Sequence, residues 1–117
     1  MSGAWPTELR LAPDKRMLTV AFDSGEKFRL PAEYLRVESP SAEVQGHGGD
    51  QKKIVPGKRE VTIQEIEPVG NYAVRLKFDD GHDTGLYSWD YLHELGAEFD
   101  RKWAAYVAAL KMRKLER

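Results

Sequence analysis

One short run of the sequence gathers the residue types that acid–base or metal chemistry needs: Asp79-Asp80-Gly81-His82-Asp83, three carboxylates and an imidazole in five residues. Such a group could bind a divalent cation or hold a general base, and carboxylates beside an imidazole are expected to raise its pKa. Asp with Gly is also what a tight turn requires, and the spacing matches no EF-hand loop. The aspartates therefore read first as turn formers, whereas His82, which a turn does not need, stays a candidate. His47 and His93 lie on separate segments, so a metal site would have to bring His82 together with His47 and a carboxylate such as Glu43, Asp80 or Asp83. No histidine starts the His-x-Asp/Glu pair of an iron(II) oxygenase. Ser39, Ser41 and Ser88 read as turn or cap residues, and Gly46-His47-Gly48-Gly49 lacks the preceding strand and the Lys-Ser/Thr of a P-loop. The absence of cysteine excludes disulfides, thiolate metal sites and a thiol nucleophile.

The elements that must position these residues are written twice. Met17–Arg36 returns as Ala73–His93, with Phe22, Asp23 and Gly25 answering Phe78, Asp79 and Gly81, and Tyr34-Leu35 answering Tyr91-Leu92. Leu18, Val20 and Phe22 recur at every second position, as do Val74, Leu76 and Phe78, the period-two pattern of a half-buried strand. Asp23-Ser24-Gly25 and Asp79-Asp80-Gly81 should reverse the chain, leading into return strands at 27–30 and 83–87. Pro31 and Ser88 suit the starts of short helices. A looser third strand precedes each copy, at 8–11 before the turn Pro13-Asp14-Lys15-Arg16 and at 60–67 before Pro68-Val69-Gly70-Asn71. Gly96 is placed at the end of the second short helix. From Ala97 the period becomes 3.6, with Phe99, Trp103, Tyr106, Val107 and Leu110 on one stripe of a terminal amphipathic helix over 97–116 that faces the core. Residues 39–59 hold four glycines and only Ala42, Val44, Ile54 and Val55 as aliphatic side chains, so a mobile loop is expected there. The fold class is α+β: small antiparallel sheets from two strand–turn–strand–short-helix units plus a C-terminal helix, in one domain spanning 1–117.

Charge is near balance at net −1, which directs the chain to neither nucleic acid nor an anionic membrane. Its distribution is uneven. Residues 60–100 carry ten acids against Arg75 and Lys77, whereas Lys52, Lys53, Lys58 and Arg59, and the six bases from Arg101 to Arg117, make two basic stretches. These segments can pair within the domain or between copies of it. Aromatic platforms for single strands are not expected, because Phe22 and Phe78 fall on the apolar strand face. No apolar run reaches the roughly 20 residues of a membrane helix, so a cytoplasmic protein is expected.

Residues 67–92 (EPVGNYAVRLKFDDGHDTGLYSWDYL), preceded by residues 30–43, resemble the small DUF971 proteins of unknown function, which share the amino-terminal domain of gamma-butyrobetaine hydroxylase. The likeness covers nearly the whole chain except the terminal helix, and GNYAV, DDGH-x-TG and YSW are its specific strings. The resemblance implies an α+β domain of small antiparallel sheets. In the hydroxylases this domain precedes a 2-oxoglutarate/iron oxygenase barrel that this chain is too short to hold, so no enzymatic activity is expected. The resemblance also implies a zinc site of three cysteines and one histidine, at the positions of Ser39, Ser41, Val44 and His82. Serine is a poor zinc ligand and valine is none, so no cofactor is expected. Related domains fused to scaffolds for iron–sulfur assembly offer a setting. The expectation is a non-enzymatic accessory or protein-interaction domain, with an unidentified protein partner or a second copy and with neither nucleic acid nor membrane. Arg36, His82, Asp83, Tyr87 and Trp89 would form its surface. The alternative is a zinc or iron protein using His82 with His47.

Overall fold

The computed structural model describes residues 4–46 and 52–117. Each copy of the repeat closes a three-stranded antiparallel sheet. The first holds β1 (Pro6–Leu11), β2 (Met17–Phe22) and β3 (Lys27–Pro31), followed by α1 (Ala32–Val37) and a single turn α2 (Ala42–Gln45). The second holds β4 (Ile63–Val69), β5 (Ala73–Phe78) and β6 (Leu86–Ser88), followed by α3 (Trp89–Ala97) and α4 (Phe99–Met112). The fold is α+β with a C-terminal helix, as the alternation and the doubled unit imply.

β2 and β5 are the central strands, and Leu18, Val20, Phe22, Val74, Leu76 and Phe78 all point into the core. Both hairpins turn identically. Gly25 and Gly81 stand at φ 96° and 91° and donate to the carbonyls of Phe22 and Phe78 at 3.0 and 3.1 Å. Only glycine adopts this backbone freely, which is why it recurs in both copies. The looser likeness of the third strands turns out to be close in space: Pro6 pairs with Phe22 and Glu8 with Ala21, while Ile63 pairs with Phe78 and Glu65 with Lys77, so each edge strand carries the same bulge. Ser88 caps α3 by accepting from the Tyr91 N–H, and Pro31 takes the cap position of α1 rather than its first turn.

The two units share one core. Leu18, Leu30, Tyr34 and Leu35 of the first pack with Ile63, Leu76, Tyr87, Leu92 and Leu95 of the second. A reciprocal clasp locks them. Tyr34 donates to the Leu95 carbonyl at 2.7 Å and Tyr91 to the Glu38 carbonyl at 2.5 Å, so each tyrosine hydroxyl reaches the residue four positions beyond its counterpart.

Five sequence expectations are revised. Pro68 and Val69 belong to β4, and the turn is made by Gly70–Tyr72. The second return strand starts at Leu86 rather than Asp83, because residues 82–85 leave the ladder to lie on Ser39 and Ser41. Gly96 does not stop α3. It lies inside the helix against Phe28, where an added Cβ would fall 2.3 Å from the ring, and the break comes at Glu98. The terminal helix is therefore α4 alone, ending at Met112. Its stripe does face inward: Tyr106 and Leu110 are buried with Val37, and Trp103, Ile54 and Val55 complete that second cluster. Residues 39–46 and 52–59, expected as parts of a mobile loop, pack more closely than their composition implies. Val44 is buried, Lys53 N–H donates to the Val44 carbonyl at 2.7 Å, and the Val55 carbonyl accepts from the Tyr106 hydroxyl. The rest of that segment, His47 included, lies outside the described residues.

Candidate functional site

The turn after β5 places its side chains through its backbone. Asp80 Oδ1 accepts from the His82 N–H at 3.0 Å, and the His82 carbonyl accepts from the Phe78 N–H at 3.0 Å. The imidazole is thereby aimed inward, leaving His82 7% exposed, with Nε2 2.8 Å from the Ser39 hydroxyl and Nδ1 3.2 Å from Glu43 Oε1. A carboxylate facing Nδ1 repels a lone pair there, so the neutral ring carries its proton on Nδ1, towards Glu43, and accepts from the Ser39 hydroxyl at Nε2. Around this contact Ser41 caps α2 and lies 2.8 Å from the Thr84 hydroxyl, which also donates to Glu43 at 3.0 Å. Gly85 completes the fit: a Cβ there would fall 2.6 Å from Ser39 Oγ.

A charged cluster lies beside it. Asp80 Oδ2 receives Arg36 Nε at 2.8 Å and Lys58 Nζ at 2.7 Å. Burial alone would raise the Asp80 pKa, but hydrogen bonds from Lys58, the His82 N–H and Arg36 outweigh it and hold the carboxyl at about 2. Arg36 Nη1 is buried with no hydrogen-bond partner among the described residues. For His82, burial first and the Arg36 charge second push the imidazole below its ordinary pKa, against the pull of Glu43, Asp80 and Asp83. The expected upward shift is corrected. Glu43, the acid beside the ring, is largely exposed and screened by solvent, and Asp80 already faces two cations, so neither does much to stabilise a third charge.

The expected surface of Arg36, His82, Asp83, Tyr87 and Trp89 does not form one face. Arg36 and His82 are committed to the interior network, whereas Asp83 is exposed and makes no ion pair among the described residues. Tyr87 is fully buried, donates to the Leu35 carbonyl, and is pushed far above the usual phenol range by burial. It is a core residue. Trp89 sits at the opposite end of the β5–β6 hairpin, with its indole donating to the Asn71 carbonyl at 2.8 Å. There it joins two aromatics the sequence reading missed, Trp5 at 52% and Tyr72 at 55% exposed, around a hollow of about 290 Å³. The available signal was an aromatic inside the Gly70-Asn71-Tyr72 turn, where no strand face could bury it.

Of the positions implied for zinc, Ser39 and His82 meet directly, Ser41 is hydrogen-bonded to both Ser39 and Thr84, and Val44 is buried. Among the described residues no three His, Asp or Glu side chains converge to hold a metal ion.

Fold and site together define a small α+β domain built on a doubled three-stranded unit, whose polar cluster ties the second turn to the segment following α1. The chain belongs to the family described as gamma-butyrobetaine hydroxylase-like, N-terminal, which matches residues 9–93. It is similar to a protein whose solution structure was determined by NMR, at 49% identity and TM-score 0.83, over 97% of this chain and 85% of that one. A second NMR structure is 44% identical with TM-score 0.86, over 99% and 91% of the two chains. A crystal structure of a DUF971 protein of unknown function from Acidithiobacillus ferrooxidans is 43% identical with TM-score 0.67, over 80% and 93%. No curated protein matches the chain. No helix among the described residues is long and apolar enough to cross a membrane.

Proposed function

We propose that this chain is a non-enzymatic accessory module of the cytoplasm that binds a partner protein, in a setting such as the oxygenase or iron–sulfur assembly systems to which the resemblance points. The observation that carries this reading is the aromatic shelf of Trp5, Tyr72 and Trp89. Two of its side chains are more than half exposed, and aromatic residues are the type most enriched at interface centres. The commitment of His82 and Asp80 to internal partners supports it, since a general acid or base must reach a substrate.

The test is capture of a partner on the immobilised protein, followed by calorimetry with Tyr72→Ala and Trp5→Ala. Each substitution should weaken binding by about tenfold or more with an unchanged Tm, as truncation of an interface anchor does. Absence of any partner, or full affinity in both variants, would overturn the reading. The metal-binding alternative has a single contact in its favour, Glu43 beside His82 Nδ1. Titration with zinc and iron(II) against a His82→Ala control decides it, and no saturable heat at micromolar metal removes it.

A further inference from the structure

A second groove lies between α4 and the segment entering at Lys52. Its floor is apolar, formed by Val37, Ile54, Ala105, Tyr106 and Ala109, and its volume is about 310 Å³. Four bases rim it, Lys52 and Lys53 on one wall and Arg101 and Lys102 on the other, against one acid, Glu38. This excess stands out in a chain of net charge −1. Glu38 is buried and already receives Lys52 at 2.5 Å, while Arg101 and Lys102 pair with Glu98 and Glu94, neither of which lines the groove. Lys53 is exposed and makes no ion pair among the described residues. The volume falls at the lower end of the ~300–1,000 Å³ of small-molecule sites, which is room for one or two side chains.

We infer that this groove docks an acidic segment of the partner protein, seating one apolar side chain on the Val37–Tyr106 floor with carboxylates reaching Lys53 and Arg101. The inference rests on the reading of the chain as an interaction module and adds the chemistry of what it binds. Carboxylates meeting the rim steer the approach and set the register, while the buried apolar side chain supplies the holding energy.

Two-dimensional NMR of the ¹⁵N-labelled full chain tests it with three capped peptides: one leucine flanked by glutamates, the same peptide with alanine for leucine, and the leucine peptide with lysines for glutamates. The first should give saturable shifts centred on Val37, Ile54, Ala105 and Ala109. The alanine peptide should bind about tenfold more weakly, the equivalent of losing one buried aliphatic side chain. The lysine peptide should not bind. Lys53→Glu with Arg101→Gln, both on exposed side chains, should remove binding while leaving the remaining spectrum unchanged, and Ala105→Phe should block the floor without altering the rim. Equal binding of the leucine and alanine peptides, shifts spread over the surface, or concentration-dependent shifts at the groove without peptide, which would make a second copy the occupant, each overturn the inference. Loss of the groove with partner binding retained at the Trp5–Tyr72 shelf would leave the module reading intact, whereas failure at both sites would remove both.

Discussion

The two hairpin turns share a backbone and differ in where their side chains go. In the first, Glu26 points outward, bonded to the Ser24 hydroxyl at 2.8 Å and to His93 Nε2 at 2.7 Å. In the second, the matching positions are Asp80 and His82, and both turn inward, to Arg36, Lys58 and Ser39. The common backbone shows that the fold needs the glycine of Asp-x-Gly at both places. The divergent side chains show that only the second turn fastens a long connection, by binding the segment after α1. Polar residues that look like catalytic equipment in the sequence act here as a clasp.

Breaking the second clasp while sparing the first should therefore give the largest asymmetry. Asp80→Ala leaves Arg36 without its carboxylate at 12% side-chain exposure, and should cost about 2–3 kcal/mol in denaturant melts, below the figure for a fully buried pair because solvent reaches the site. Its counterpart Ser24→Ala should cost less than about 0.5 kcal/mol. His82→Ala removes the hydrogen bond to Ser39, the contact with Glu43 and buried volume, for about 2 kcal/mol, whereas Glu26→Ala, on a solvent-exposed group, should leave the melt unmoved. Tyr34→Phe and Tyr91→Phe test the symmetric part of the structure. Each should cost about 1 kcal/mol, and clearly unequal values would show that the clasp between units is not reciprocal in energy.

The smallest effect sharpens the comparison through pH. The folded His82 pKa lies below its unfolded value near 6.5, so on acidification the unfolded chain takes up a proton first. Stability linked to His82 is complete above pH about 6.5 and declines as pH falls toward the folded pKa. Asp80 adds a second decline below its unfolded value, complete near its folded pKa of about 2. In His82→Gln the decline that begins below pH about 6.5 should disappear and the one set by Asp80 remain, as followed by urea melts across pH.

Much of this frame was legible because it is local. Alternation over Leu18–Phe22 and Val74–Phe78, the Asp-x-Gly turns and the Ser88 cap each depend on residues within a few positions of one another. What escaped depends on partners far along the chain. The depressed His82 pKa needs Arg36, and the role of Gly96 is set by Phe28. β6 is only Leu86–Ser88, too short for its alternation to reveal that Tyr87 faces the core. The sheet partners of Glu8 and Glu65 likewise show the bulge that the two strand sequences conceal. Of the candidate site, the convergence of Ser39 with His82 was implied by family resemblance, and the exposed Trp5 and Tyr72 by nothing in the periodicity.

The central claim is that His82 is a neutral, hydrogen-bonded clasp. Its most direct test is a pH titration of the ¹⁵N-labelled imidazole by NMR. The account predicts a single neutral tautomer, protonated at Nδ1, that persists below pH 6.5 and takes up its second proton at a lower pH than a histidine in an unfolded peptide. A midpoint at or above 6.5, or a ring exchanging freely between tautomers, would contradict it.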